Sequence, residues 1–334
     1  MLFLMVSSLG FQLIVGVFIG VLRALGVNTG SLWVFIAIFV ASFLLPLFLW
    51  LKITGESFRK SMPNQPLGLV NILLIIALSL LIQPLMMLVS GFSSLFFPNT
   101  AAELLSTVSA QPWWLMMLAL AVAPGVIEEL VFRGYLQSAQ MRGFRSGQSF
   151  AKIALMNGLL FAIMHLNPHQ FLYTFFLGIF FAYVVHYTKS IWAGIISHFT
   201  LNGSQVTLAN WATQAVAYQD VPDITFAQSM YNAFAETNPA LAQSLYDFFS
   251  NISPEVVAII GASILSAITA PIAIAIFITF KNYNKARNLK TPTQTEPTPE
   301  IILDPDAPPQ QWRQRIDWYL LGVILLFIAI IAIT

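Results

Sequence analysis

No cysteine occurs in this chain. That excludes disulfides, thiolate metal sites and a cysteine nucleophile. Charge is nearly as scarce: Asp, Glu, Lys and Arg together make up 9% of 334 residues, against about 25% in a soluble domain. The length would allow two soluble domains, but too few polar side chains exist to cover them. Basic residues are few and scattered, with a formal net charge of +1, which argues against a nucleic-acid partner. The first residues, MLFLMVSSLGFQLIVGVF, lack a basic leading region, and their apolar run continues to about residue 27. They read as a spanning helix and not as a cleaved signal peptide. No repeat of fixed period is present.

What the chain has in abundance is hydrocarbon: 57% of its residues are hydrophobic. The expected fold is all-α, a polytopic transmembrane helical bundle with short interfacial helices. A helix needs about 20 apolar residues to cross the hydrocarbon. Candidate spans fall near residues 2–27, 31–53, 67–92, 113–137, 150–167, 170–187, 190–209, 256–280 and 317–333. The fifth and sixth are short and meet at a turn signal, Asn167-Pro168, so the expected count is eight or nine. The chain divides into an N-terminal membrane region (1–111), a central core (112–205), an extracytoplasmic segment (206–255) and C-terminal spans (256–334). A Pro-rich cytoplasmic linker occupies 281–316 within the last of these.

Lys and Arg set the orientation. With nine alternating spans, Lys52, Arg59, Lys60, Arg142, Arg145, Lys152, Lys189 and the basic residues of 281–316 share one side, and Arg23 alone takes the other. Residues 203–255 contain no Lys or Arg. The N-terminus is therefore expected in the cytoplasm, with segment 206–255 and the C-terminus outside; in a bacterium the membrane is the cell membrane. Within 240–250, Leu241, Leu245, Phe248 and Phe249 recur at helical spacing, suiting a helix in the interface plane or a cap packed on the spans.

Against this background the stretch VIEELVFRGYL, residues 126–136, is anomalous. Each ionisable group at the bilayer centre costs about 2.5–3.5 kcal/mol on insertion scales. Glu129 and Arg133 stand at i,i+4 with the acid first, so they share a helix face and can pair. Glu128 is rotated about 100° away, and both acids cannot easily use one arginine. Pro124 removes a backbone donor and frees the carbonyl of Leu120, opening space beside the acids. Taken alone, this stretch fits a structural clamp as well as a functional site.

Two further stretches carry polar groups at similar depth. FAIMH ends in His165, and HFTLN places His198 and Asn202 at i,i+4 on one face. His169 and His186 sit near span ends and read as interhelical hydrogen-bonding groups. A rise of 1.5 Å per residue puts Glu128, His165, His198 and Asn202 in or near the middle third of the membrane. A carboxylate and two imidazoles in a dry pocket suit hydrolysis. Glu128 can take a proton from water, His165 can hold that water, and His198 and Asn202 can donate to the oxyanion of an amide carbonyl.

EExxxR, FxxxH and HxxxN in this order resemble the CAAX prenyl endoproteases and bacteriocin-processing (Abi) proteins. Here they read Glu128-Glu129…Arg133, Phe161…His165 and His198…Asn202, and the resemblance covers about residues 112–205. It implies an all-helical intramembrane endopeptidase with catalytic Glu128, His165, His198 and Asn202, and with Glu129 and Arg133 in support. Its substrate would be a membrane-associated peptide or protein, lipid-modified ones included; its other partner is the lipid bilayer. The family's third motif ends in Asn or Asp, and this chain keeps Asn. Glu128, His165 and His198 could hold zinc with an open position, but HExxH is absent and Asn is a poor zinc ligand. A metal-free glutamate mechanism with no cofactor is therefore favoured. The competing class is a non-catalytic membrane protein, an immunity factor, chaperone or transporter, that keeps its polar cluster for helix packing. A transporter should show inverted repeats or matching broken helices, and one Pro-broken span has no such counterpart.

Overall fold

The computed structural model describes residues 2–26, 31–100, 103, 105, 108–142, 149–218 and 226–290. All its regular elements are helical. They are α1 (Leu2–Ala24), α2 (Leu32–Thr54), the short α3 (Phe58–Ser61), α4 (Leu69–Leu81), α5 (Gln83–Ser94), α6 (Trp113–Arg142), α7 (Phe150–Met164), α8 (Pro168–Thr188), α9 (Ile191–Tyr218), α10 (Phe226–Phe234), α11 (Pro239–Ser250) and α12 (Pro254–Lys290). The single extended pairing among the described residues is a bridge between Asn64 and Ser190. An all-helical solution follows from the solvent: hydrocarbon offers no hydrogen bonds, so each span must satisfy its own backbone.

Each of the first eight expected spans coincides with one of these helices, α4 and α5 together forming the third. Five helical stretches are long and apolar enough to cross a membrane: Leu32–Thr54, Leu69–Ser94, Trp113–Arg142, Pro168–Thr188 and Val256–Leu289. Ser8–Leu22 and Phe150–Met164 are apolar but shorter. α9 has the length and falls outside that group; its sequence carries Ser197, His198, Thr200, Asn202 and Ser204. The expected ninth span at 317–333 and the Pro-rich tract lie outside the described residues.

Local signals set the helix ends. Ser31 and Ser149 accept the N–H of Trp33 and of Ala151, capping α2 and α7. The turn from α7 to α8 runs through Leu166, with φ of 48°. Asn167 then caps α8 by accepting from the N–H groups of His169 and Gln170, and Pro168 occupies the first turn, where its missing N–H is no loss. A 15-residue helix such as α7 rises only about 22 Å, which is short of the ~30 Å hydrocarbon layer.

α6 is the central element. Of its most apolar window 61% is buried, against 11% for α12, whose Ile264, Ile268 and Ile274 are exposed. Phe132, Tyr135 and Leu136 of α6 pack into a core with Phe43 of α2, Phe161 of α7 and Phe181 of α8. Polar pairs cross the bundle where side chains would otherwise lose water. Asn71 and Asn284 exchange two hydrogen bonds, at 3.0 and 2.8 Å. Ser79 bonds Ser197 at 2.7 Å, and Gln83 donates to Ser204 at 2.9 Å. At the far end of α6, Tyr135 and Arg142 both donate to Glu56, and Trp50 donates to Tyr135.

α10 and α11 form a hairpin in which Tyr231 meets Tyr246 edge-on. The face of α11 turned inward is Ala242, Leu245, Tyr246 and Phe249. Leu241 and Phe248 point outward, 41% and 58% exposed, so the expected apolar face is split between the hairpin and its surroundings.

Candidate active site

The site is built on α6. Two stretches of this helix are wound as π-helix, Leu118–Val122 and Leu130–Gln137. The α-helical turns between them, Ala123–Glu129, carry both acids. Wider π turns shift the facing of side chains beyond them and recur at functional sites. Pro124 stands two residues after the first π segment, and the N–H of Ala123 bonds Leu118 O.

Glu129 and Arg133 pair as their spacing predicts. Arg133 Nη1 lies 2.8 Å from Glu129 Oε1, with both side chains fully buried. Arg133 Nη2 donates to Gly178 O of α8 at 2.9 Å. The guanidinium also sits 4.6 Å from the Phe161 ring centre and 5.0 Å from that of Phe181. Aromatic faces thus take up part of the charge that the hydrogen bonds do not.

Glu129 Oε1 is shared. His198 Nδ1 stands 3.2 Å from it. A carboxylate only accepts, so Nδ1 donates to it. Phe181 stacks on this imidazole at 4.9 Å with the planes 18° apart. His165, at the end of α7, holds its Nδ1 2.8 Å from Phe161 O. A carbonyl oxygen likewise only accepts, so Nδ1 donates here too. Phe161, the first residue of FxxxH, meets both imidazoles edge-on, His165 at 4.8 Å and His198 at 5.9 Å between centres.

Glu128 takes no part in this bonded cluster. It is 6% exposed, and its Oε2 is buried with no hydrogen-bond partner. α6 and α9 run antiparallel in close contact: a Cβ on Gly125 would meet Phe199 N at 3.3 Å, and one on Gly194 would meet Glu129 Oε2 at 2.5 Å. In the chain Glu128 falls between these two levels of α6. Asn202 is also at this interface, where its Nδ2 donates to Leu120 O at 3.0 Å. The carbonyl expected to be freed by Pro124 therefore has a partner, and that partner is one of the polar residues singled out in the sequence.

The zinc set does not come together. Among the described residues no three His, Asp or Glu side chains are grouped as a metal ion requires. His169 bonds Ser94 across α8 and α5, and His186 stacks on Phe150; both lie outside the cluster.

Five contributors were not singled out in the sequence. Gln137 donates to Ala182 O at 3.1 Å, one turn beyond the Gly178 carbonyl that Arg133 uses. Phe181 and Gly194 come from helices whose partner faces only folding defines. Gly178 and Gly158 bring α8 against α7, a Cβ on Gly178 falling 2.6 Å from Gly158 Cα. Small residues recurring in apolar spans are the one hint available, since they let helices approach closely.

No curated protein and no solved structure shows a significant match to the chain. Residues 110–204, the segment that contributes α6 to α8, the first half of α9 and every residue of the Glu129–Arg133–His198 cluster, match the family model for type II CAAX prenyl endopeptidase, Rce1-like, in agreement with the motif resemblance to CAAX proteases and in support of an intramembrane endopeptidase of that general type.

Proposed function

We propose that this chain hydrolyses a peptide bond of a membrane-associated, lipid-modified peptide or protein, using a water activated by Glu128 and His165. The observation that carries this reading is Glu128 itself: a nearly dry carboxylate whose Oε2 has no partner, next in the chain to the Glu129 that holds His198. A buried polar group left unbonded calls for an explanation, and poising for a proton is one that chemistry supplies. Intramembrane charges at bundle interiors are functional by default.

The steps balance with the residues present. Water accepts orientation from His165 Nε2 and gives a proton to Glu128 as its oxygen attacks the amide carbonyl. Glu128 then returns that proton to the leaving amine, and acid and amine are released. The oxyanion needs a donor. His198 supplies one from Nε2 in its protonated form, with Nδ1–H held by Glu129. Glu129 and Arg133 orient this imidazole and touch no reacting atom. The reading uses no metal, in keeping with the absence of HExxH and the poor affinity of Asn for zinc. The Lys and Arg distribution supports a cytoplasmic N-terminus and cleavage near the cytoplasmic face.

The test is cleavage of a fluorogenic farnesylated CAAX peptide by purified protein in proteoliposomes. Glu128→Gln is expected to abolish turnover while the thermal unfolding profile stays that of the unaltered chain. Retained turnover in Glu128→Gln would refute the assignment. A wild-type chain that leaves the peptide intact would favour the non-catalytic class.

A further inference from the structure

We propose that Asn202 acts on catalysis through the main chain of α6, as a positioning residue: its amide clamps the Leu120 carbonyl and fixes the bend that presents Glu128. The inference rests on the endopeptidase reading and assigns to Asn202 a duty other than direct oxyanion donation.

Position 124 of α6 lacks a backbone N–H. In an α-helix the carbonyl of residue 120 receives the N–H of residue 124. Pro124 has no N–H, and its ring crowds that same carbonyl. The chain upstream departs from α-geometry at this point, with residues 118–122 wound as π-helix. A helix disturbed in this way has more than one winding open to it, and each winding turns the following acids differently. Asn202 Nδ2, at 3.0 Å from Leu120 O, supplies the absent donor from outside the helix.

The packing leaves this donor little slack. Three residues before Asn202, the backbone of α9 comes close to α6, where a Cβ on Gly125 would stand 3.3 Å from Phe199 N. One turn after Phe199, Gly203 is held against Ala121 and Met117, whose side-chain atoms lie within 3.8 Å of its Cβ position. These close approaches on either side of Asn202 hold α9 against α6 at the level of Leu120. On the same face of α9, His198 holds Glu129. The face of HxxxN therefore grasps α6 at two points, once through a side chain and once through the main chain, and Glu128 lies between them.

A double-mutant cycle separates this role from oxyanion donation. Pro124→Ala returns an N–H to position 124 and gives Leu120 O a donor of its own; Pro124→Ser does the same with a different side chain. Turnover of the farnesylated CAAX peptide and thermal unfolding are measured for each variant. Asn202→Ala is expected to lower kcat about tenfold, the scale of one lost hydrogen bond, with KM unchanged. Asn202→Asp, isosteric but without the N–H, should match it. Pro124→Ala/Asn202→Ala should regain most of the lost kcat and of the lost melting temperature. Loss of kcat that neither proline substitution restores would overturn the proposal and make Asn202 an oxyanion donor. An unchanged kcat in Asn202→Ala would overturn it also. If the unaltered chain leaves the peptide intact while the melting temperatures still show the rescue, the endopeptidase reading fails and the Asn202–Leu120 clamp stands as structure alone.

Discussion

Gly194 on α9 faces Glu129 on α6 with no room for a methyl group: a Cβ at position 194 would stand 2.5 Å from Glu129 Oε2 and 3.0 Å from Val185 Cγ2. Glu129 is the hub of the buried cluster, joined to both Arg133 and His198. Glycine here is a condition of the carboxylate's position. Gly194→Ala is expected to destabilise the protein by about 1–3 kcal/mol, the range for overpacking a filled core. It should also reduce peptide turnover, because Glu129 must move away from His198. Melting temperature in detergent and kcat on the farnesylated peptide check both. A variant as stable and as active as the parent would mean that α9 and α6 do not approach this closely.

The Arg133 substitutions separate charge from packing. Arg133→Met keeps the volume and leaves the Glu129 carboxylate buried without its main counter-charge. Removing one partner of a buried pair costs about 3–5 kcal/mol. Adding Glu129→Gln removes the stranded charge, so Glu129→Gln/Arg133→Met should be more stable than Arg133→Met alone. Denaturation in detergent gives the coupling. If the double variant is no better than the single one, the hydrogen bond to Gly178 O, and not the ion pair, is what Arg133 contributes.

Metal removal has a definite expected outcome. With no cation site formed among the described His, Asp and Glu side chains, extended dialysis against a chelator should leave turnover of the farnesylated peptide unchanged. Elemental mass spectrometry of the same samples reports what was removed. Activity lost on dialysis and restored by added zinc would show that Glu128, His165 and His198 rearrange around an ion.

Much of this arrangement was legible in the linear chain for identifiable reasons. The spans could be read because hydrocarbon forces about 20 apolar residues into each crossing, whatever their partners. The Glu129–Arg133 pair could be read because i,i+4 neighbours touch within one helix. The turn at Asn167-Pro168 could be read because an Asx cap and a proline carry their geometry with them. Other features were hidden. Gln137 looks like any polar residue near a helix end until α8 brings Ala182 O to it. The π winding of α6 has no residue signature, since it is a compromise between Pro124 and the neighbours of the helix. The split apolar face of α11 depended on which side α10 would cover.

The amino-acid sequence by itself determined that the chain is a membrane-spanning bundle of helices, where those helices run, and which few polar groups they carry into the apolar interior. These follow from transfer energies and helical periodicity, which act on each segment separately. Only the tertiary structure decided that Glu129 is shared by Arg133 and His198, that Asn202 answers the carbonyl above Pro124, and that Glu128 stays outside this bonded cluster with its Oε2 buried. Those outcomes depend on which helix faces meet, and that is settled by close packing at residues such as Gly125, Gly178 and Gly194, where the absence of a side chain lets two backbones come together.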